Sequence, residues 1–589
     1  MMLQALTSYY DRLVEDPDSD VPQPGFSKEN VHFELVLSAS GELLQVNDIR
    51  MPPQKGKSPV ARKLSVPKDK GRTSAIHPYF LWDKTKYALG AEEGKEGTQL
   101  CWKHFDAFRD RQREVAGEVD DEGVRAVCAF LDQWDPERAP QLELWREMAG
   151  GNVVFRLDGE RQYVHERPGA QQTWLDFFHS GSEEEGICLA TGEQAPIAKL
   201  HPSIKGVRGA KPSGAYLVSF NMDAFSSYGK DQGYNAPVSQ KAAFAYATAL
   251  NHLLRQDSPQ KVQVGDATTV FWSERPTHME SFFAAVMGGQ VDQAPNESHD
   301  TGVIKDLRDL LKAVSKGQEP PRWDDPETPF YILGLSGNSS RLAVRFWHVS
   351  SVGRMARNLA RHFSDLAIEH RYDRGPEYPG LWRLLVETAA LRRSDNISPV
   401  LAGEFMRSVI TGGEYPASLM SQILSRIRAE NEVTTLKAAL LKAVLVRQAR
   451  NRNTGTEVSM SLDTQATDAG YLLGRLFAVL EKVQQDSHGG SLNATIRDRF
   501  FGAASATPRS IFPRLLSLSQ HHLAKLRKEN EGYAIAADKR LQEVLDGIND
   551  IPAHLNMQEQ ARFALGYYHQ RNALYRKKED NQPEEREQA

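Results

Sequence analysis

From Val352 onward the chain reads as one amphipathic helix after another, and that run constrains the fold more than any other feature of its 589 residues. Segments 417–429, 435–449, 468–485, 511–527, 539–548 and 558–576 each repeat apolar residues at helical spacing. In 539–548, Leu541, Val544, Leu545 and Ile548 fall at i, i+3, i+4 and i+7, a stripe that must be buried against other helices. The pattern predicts a C-terminal helical bundle. Upstream the period changes. Residues 32–36 and 43–46 alternate apolar and polar side chains around Ser-Gly turn chemistry, which predicts a hairpin. A second hairpin is expected where 330–335 and 341–347 flank Ser-Gly-Asn-Ser-Ser. β-like runs at 152–156, 217–221 and 268–272 surround an alanine- and leucine-rich helix at 239–254. A charged helix is expected over 303–314, ahead of a Pro-rich boundary loop at 317–329.

The fold class expected is α+β: a mixed α/β N-terminal region followed by a C-terminal helical bundle. A chain of this length exceeds one hydrophobic core. The expected division is a mixed region at 1–350, a helical connecting region at 351–459 and a bundle at 460–589, ending in an acidic tail.

Chemistry is excluded more readily than it is found. Cys101, Cys128 and Cys188 are far apart and include no CxxC pair, which argues against a disulfide framework or a cysteine-rich zinc site. A reducing, cytoplasmic compartment fits. The N-terminus lacks the pattern of a secretory signal, and no apolar run approaches the length of a membrane span, so no membrane partner is expected. Gly334 to Arg341 has the glycines of a phosphate loop without its lysine, inside an expected hairpin turn. His299-Asp300 is an isolated pair, and His521-His522 on a helix point about 100° apart, poorly placed to share a metal. No catalytic group, metal or cofactor is expected.

Three clusters remain. Lys55, Lys57, Arg62, Lys63, Lys68, Lys70 and Arg72 lie among prolines and glycines with one acid, Asp69, as in an extended loop able to follow phosphates. A solvated surface loop accounts for them equally well. Segment 199–239 gathers Lys199, Lys205, Arg208 and Lys211 with Gly206, Gly209, Gly214, Gly229 and Gly233, and has no acid before Asp223. Its glycines allow close approach to a phosphate or base edge, and Ser213, Asn221, Gln232 and Asn235 offer hydrogen-bonding groups for readout. Packing alone explains the apolar run at 217–220 but not the cations and amides around it. Finally, Arg341 and Arg345 precede Arg354, Arg357 and Arg361, which share one helix face. That face suits phosphate, or pairing with acids such as Asp365 and Glu369.

The segments at 2–13, 24–46, 63–90, 187–239, 330–347 and 563–571, in that order, resemble the large subunit of the type I-C CRISPR surveillance complex, Cascade. The resemblance covers nearly the whole chain. It implies a non-catalytic DNA-binding subunit of an RNA-guided complex: the guide RNA pairs with the target, and the large subunit reads the protospacer-adjacent motif on the duplex. It further implies a role in stabilising the R-loop. The partners implied are the crRNA-bearing backbone and crRNA-end subunits, a small subunit, target double-stranded DNA and a separate helicase–nuclease. Candidate DNA contacts are Lys205, Arg208, Lys211, Ser213, Asn221, Gln232 and Asn235, with Lys68, Lys70 and Arg72 as a strand clamp. Such systems also make the small subunit from an internal start, for which Met460 is the candidate here. The alternative reading is a nuclease with an unrecognised active site; a scaffold touching only proteins is a third.

Overall fold

Every residue of the strand Phe33–Leu37 is buried, so it needs a neighbour on each edge and cover on each face. It pairs antiparallel with Leu43–Asp48, as the first expected hairpin requires, and parallel with Asn152–Leu157; Trp82–Lys84 completes a four-stranded sheet. A parallel pair demands a long crossover. Here the crossover supplies the helices Trp102–Ala116 and Glu122–Gln133, whose Phe105, Phe108, Val127 and Phe130 share a core with Phe33, Leu35 and Phe155. Asp121 caps the second helix by accepting a hydrogen bond from the Val124 N–H at 3.1 Å. The helix Gln240–Leu253 forms where alanine and leucine predict it.

The computed structural model describes residues 2–52, 59–68, 76–94, 97–117, 119–179, 184–288, 309, 313, 325–370, 378–453, 457–489 and 492–575. All of the expected helix at 303–314 except Asp309 and Ala313, and most of the boundary loop at 317–329, lie outside the described residues. The chain divides into two compact units, Met1–Ile204 with Tyr216–His252 and Lys205–Ala215 with Leu253–Ala589.

In the second unit, Lys261–Val264, Ala267–Ser273, Pro329–Asn338 and Arg341–Ser351 form an antiparallel meander. The second expected hairpin is thus present and longer than its apolar runs suggested. Phe271, Phe330 and Ile332 share one core with helices His278–Gly288 and Val352–Leu366, so this sheet groups with the helices that follow it. Ser351 starts the latter helix by accepting from the Arg354 N–H.

Beyond it the chain is helical throughout its described residues, apart from connecting turns, as the periodicity predicts. Helices Ala417–Glu430, Thr435–Arg452, Ala469–Ser487 and Met557–Leu574 match their expected segments, and Glu531–Leu545 begins eight residues before 539. Pro399–Thr411 and Ile496–Ala506 are two further helices. The expected strand at 217–221 is absent: its residues bend through partly exposed backbone and pair with no strand.

Two features tie the helical region together. Ala469–Ser487 is buried along most of its length and crosses Met557–Leu574 at glycines. A Cβ on Gly474 would collide with the Phe563 carbonyl oxygen, and one on Gly566 with that of Tyr471. Elsewhere, Asp365 is buried and accepts from Arg447 Nε at 2.8 Å and Arg450 Nη2 at 2.5 Å. Arg447 also donates to the carbonyls of Ser408 and Gly413 and lies over the Tyr415 ring at 3.9 Å. Lys442 donates to the Asp365 carbonyl.

Candidate nucleic-acid interface

The cation-bearing loop at 205–211 has no strand of its own, so its backbone groups must be satisfied elsewhere. The tip of the second hairpin satisfies them. Gly337 N–H donates to the Arg208 carbonyl at 3.1 Å, Lys211 N–H donates to the Ser339 carbonyl at 2.9 Å, and Ala210 forms a parallel bridge with Ser339. Arg208 N–H donates to Thr268 Oγ1 at 3.1 Å. This approach explains two glycines. A Cβ on Gly209 would stand 2.7 Å from the Gly337 carbonyl oxygen, and one on Gly337 would collide with the Ala210 amide. Gly206 likewise runs against the Leu254 carbonyl. These glycines serve backbone packing, whereas the sequence suggested approach to a ligand. What the packing presents is charge: Lys205, Arg208, Lys211 and Ser213 are all exposed. The same hairpin tip carries Arg341, next to the turn at Ser339.

The amide-bearing part, 216–239, belongs to the other unit. Asn235 commits its whole side chain to the loop before it. Its Oδ1 accepts from Ser227 N–H at 2.8 Å, and its Nδ2 donates to the carbonyls of Lys230 and Gln232 at 2.9 and 3.0 Å. Gln232 adopts φ +42°, and its buried Oε1 has no hydrogen-bond partner among the described residues. Asn221 is exposed. The seven candidates in segment 199–239 therefore fall into two groups, four cationic or hydroxyl residues in one unit and three amides in the other.

The lysine-rich loop is described only in part. Lys68 ends the strand pair of Phe26–Val31 and Arg62–Pro67, bonds Glu29 at 2.5 Å and approaches the Tyr79 ring at 5.6 Å. Lys70 and Arg72 lie outside the described residues. On helix Val352–Leu366, Arg354, Arg357 and Arg361 are exposed together, as their spacing predicts. Asp365 turns inward to Arg447 and Arg450, and Arg345 pairs with Asp266 at 2.8 Å. Sequence reasoning missed Tyr228, which is wholly exposed beside Gly229; a lone tyrosine in a polar loop carries no periodic signal.

The buried histidines belong to the core. Burial lowers the imidazole of His165 to about 3 and those of His201 and His569 to about 4, so all three are neutral near pH 7. His201, His362 and His569 each share a hydrogen bond with a tyrosine, Tyr246, Tyr415 and Tyr471 respectively. Among the described residues no three His, Cys, Asp or Glu side chains are grouped to hold a metal, and no helix is long and apolar enough to cross a membrane. His299-Asp300 lies outside the described residues.

No curated protein matches the chain. A family model, CRISPR-associated protein (Cas_Csd1), matches residues 6–575. With nearly the whole chain inside that match, the protein belongs to the Csd1 family, the non-catalytic large subunits of the type I-C Cascade complex that take part in recognising target DNA and its protospacer-adjacent motif.

Proposed function

We propose that the exposed loop at 205–215 is the surface through which this subunit grips the duplex beside the target. One observation carries this: a loop with three exposed cations is stitched by its backbone to a hairpin tip, so charge is held in fixed register instead of on a wandering tether. Fixed cations orient a duplex through its phosphates, and base contacts then supply the choice of motif. Asn221 and Gln232 are the amides offered for that choice. Asn235 acts as a positioning residue for its loop. In this reading the subunit works in the cytoplasm, beside the crRNA-bearing backbone, the crRNA-end subunit and the small subunit, and presents the opened target to a separate helicase–nuclease.

Replacing Lys205, Arg208 and Lys211 together by alanine will weaken target binding by the assembled complex. It will also lower the slope of log affinity against log salt by about one for each phosphate no longer neutralised. Changing Asn221 or Gln232 will instead shift preference among flanking motifs, by about 1–3 kcal/mol for each base so read. Binding isotherms at several salt concentrations separate the two effects. Unchanged affinity, slope and motif choice across both sets remove these loops from the interface.

The bundle at 460–589 is proposed to occur also as a separate small subunit begun at Met460. Met460 is exposed in the connector ahead of helix Ala469–Ser487, whose first turn is capped by Asp468 accepting from the Tyr471 N–H at 3.0 Å. Among the described residues five helices, from Ala469–Ser487 to Met557–Leu574, follow this start. Expressing the gene with a C-terminal tag will yield a short product that disappears when the Met460 codon is made unable to initiate. A short product that is absent at first, or that survives the change, excludes this start.

A further inference from the structure

The loop at 219–231 holds an aromatic ring clear of the protein, and its backbone is forced into an unfavourable shape to do so. Tyr228 is 100% exposed. It adopts φ +54°, Gly229 follows at +70°, and Gln232 lies at +42°. Left-handed backbone is disfavoured for any residue with a Cβ, and it persists where surrounding contacts impose it. Asn235 imposes it here, through one accepted and two donated hydrogen bonds to the backbone of Ser227, Lys230 and Gln232. The anchor continues to Gly233, whose N–H donates to the Lys199 carbonyl at 3.0 Å, and whose missing side chain lets the chain press against the carbonyls of Ala198 and Lys199. The ring is therefore presented by a preset frame.

Charge indicates what the ring faces. The loop carries Asp223, Lys230 and Asp231, and Asp231 pairs with Lys199 at 3.2 Å. With Asp231 paired to Lys199, Asp223 and Lys230 balance, so the loop offers no run of cations to track phosphates. Met222 is also exposed, at 54%, and a Cβ built on Gly229 meets nothing within 4 Å. A flat, neutral ring beside open space suits a flat, neutral partner. Nucleobases stack on such rings, and an inserted apolar side chain favours the separated state of a base step.

We propose that Tyr228 stacks against a nucleobase unpaired at the edge of the bound duplex, and that Asn235 positions it. This rests on the DNA-recognition reading above. Stacking is indifferent to base identity, so Tyr228 contributes to opening the duplex and leaves the choice of motif to other groups.

The test uses the assembled complex and synthetic duplexes carrying the flanking motif. Tyr228→Ala will bind roughly tenfold or more weakly than wild type, while Tyr228→Phe will bind nearly as well. Abasic nucleotides are then placed one at a time along both strands beside the motif. At one position the penalty of Tyr228→Ala will vanish, because the base that the ring touches has gone. Asn235→Ala will impose a similar penalty that does not add to that of Tyr228→Ala. Equal binding by wild type and Tyr228→Ala overturns the proposal. So does a penalty that persists at every abasic position, and so does loss of other subunits from purified Tyr228→Ala complex, which marks a protein interface. If wild type binds and the triple alanine variant at 205, 208 and 211 responds to salt as above, a silent Tyr228→Ala sinks the stacking role alone. If that triple variant is silent too, the recognition reading itself fails.

Discussion

Gly474→Leu will unfold at a far lower urea concentration than wild type, if it accumulates in soluble form at all. At this crossing the helices Ala469–Ser487 and Met557–Leu574 meet backbone to backbone, and no rotamer can relieve a Cβ directed at the Phe563 carbonyl oxygen. The helices must separate, and the rings of Phe477, Phe501, Phe563 and Tyr567, which pack together across this crossing, must part with them. Overpacking of a tight core costs about 1–3 kcal/mol, and a forced backbone shift reaches the upper end or beyond. Gly403→Ala is the matched control. Gly403 lies in helix Pro399–Thr411 with nothing within 4 Å of a built Cβ, so alanine there will stabilise by up to about 1 kcal/mol through helix propensity. Equal urea midpoints for Gly474→Leu and wild type contradict the close crossing.

Asp365→Ala is the second large effect. Arg447 is fully buried, and Asp365 is its only carboxylate partner among the described residues. Removing the carboxylate strands a guanidinium where water cannot reach it, at a cost of about 3–5 kcal/mol. The change also frees Arg450, which is 40% exposed and can turn to solvent, so the penalty belongs mainly to Arg447. Replacing both Asp365 and Arg447 by apolar residues will recover much of the stability, since a buried pair and a packed apolar pair differ little. A urea midpoint for Asp365→Ala equal to that of wild type refutes this account, and a double variant as unstable as the single one shows that packing, not charge, dominates.

These two sites show where sequence reading stops. The helices that carry them were legible from apolar spacing, and so were both hairpins, because periodicity is local. Gly470 and Gly474 also stand in the sequence, but nothing local says whether a helical glycine admits a carbonyl or merely faces open space as Gly403 does. The sequence places Asp365 one turn after Arg361, which invites a surface pair. The fold instead buries Asp365 and brings Arg447 to it from 82 positions along the chain. The run at 217–221 has the composition of a strand but finds no partner strand, and composition cannot supply one. Among the site residues, the exposed cations at 205, 208 and 211 were readable as charge. The tasks of Asn235 and of the packing glycines depend on which backbones meet, and no spacing rule reports that.

The partition of the glycine-rich segment bears on the order of events at the ribosome. Residues 205–215 emerge early, flanked on both sides by chain that belongs to the other unit. The hairpin that fixes them, Pro329–Asn338 with Arg341–Ser351, is synthesised more than a hundred residues later, on the order of ten seconds at ordinary translation rates. Until then the nascent chain carries its three cations on a loop without the hairpin that holds it, attracted to any polyanion nearby but unable to hold one in register. A chain cut short anywhere before residue 351 would stay in that condition, with charge enough to bind nucleic acid loosely and no frame with which to orient it.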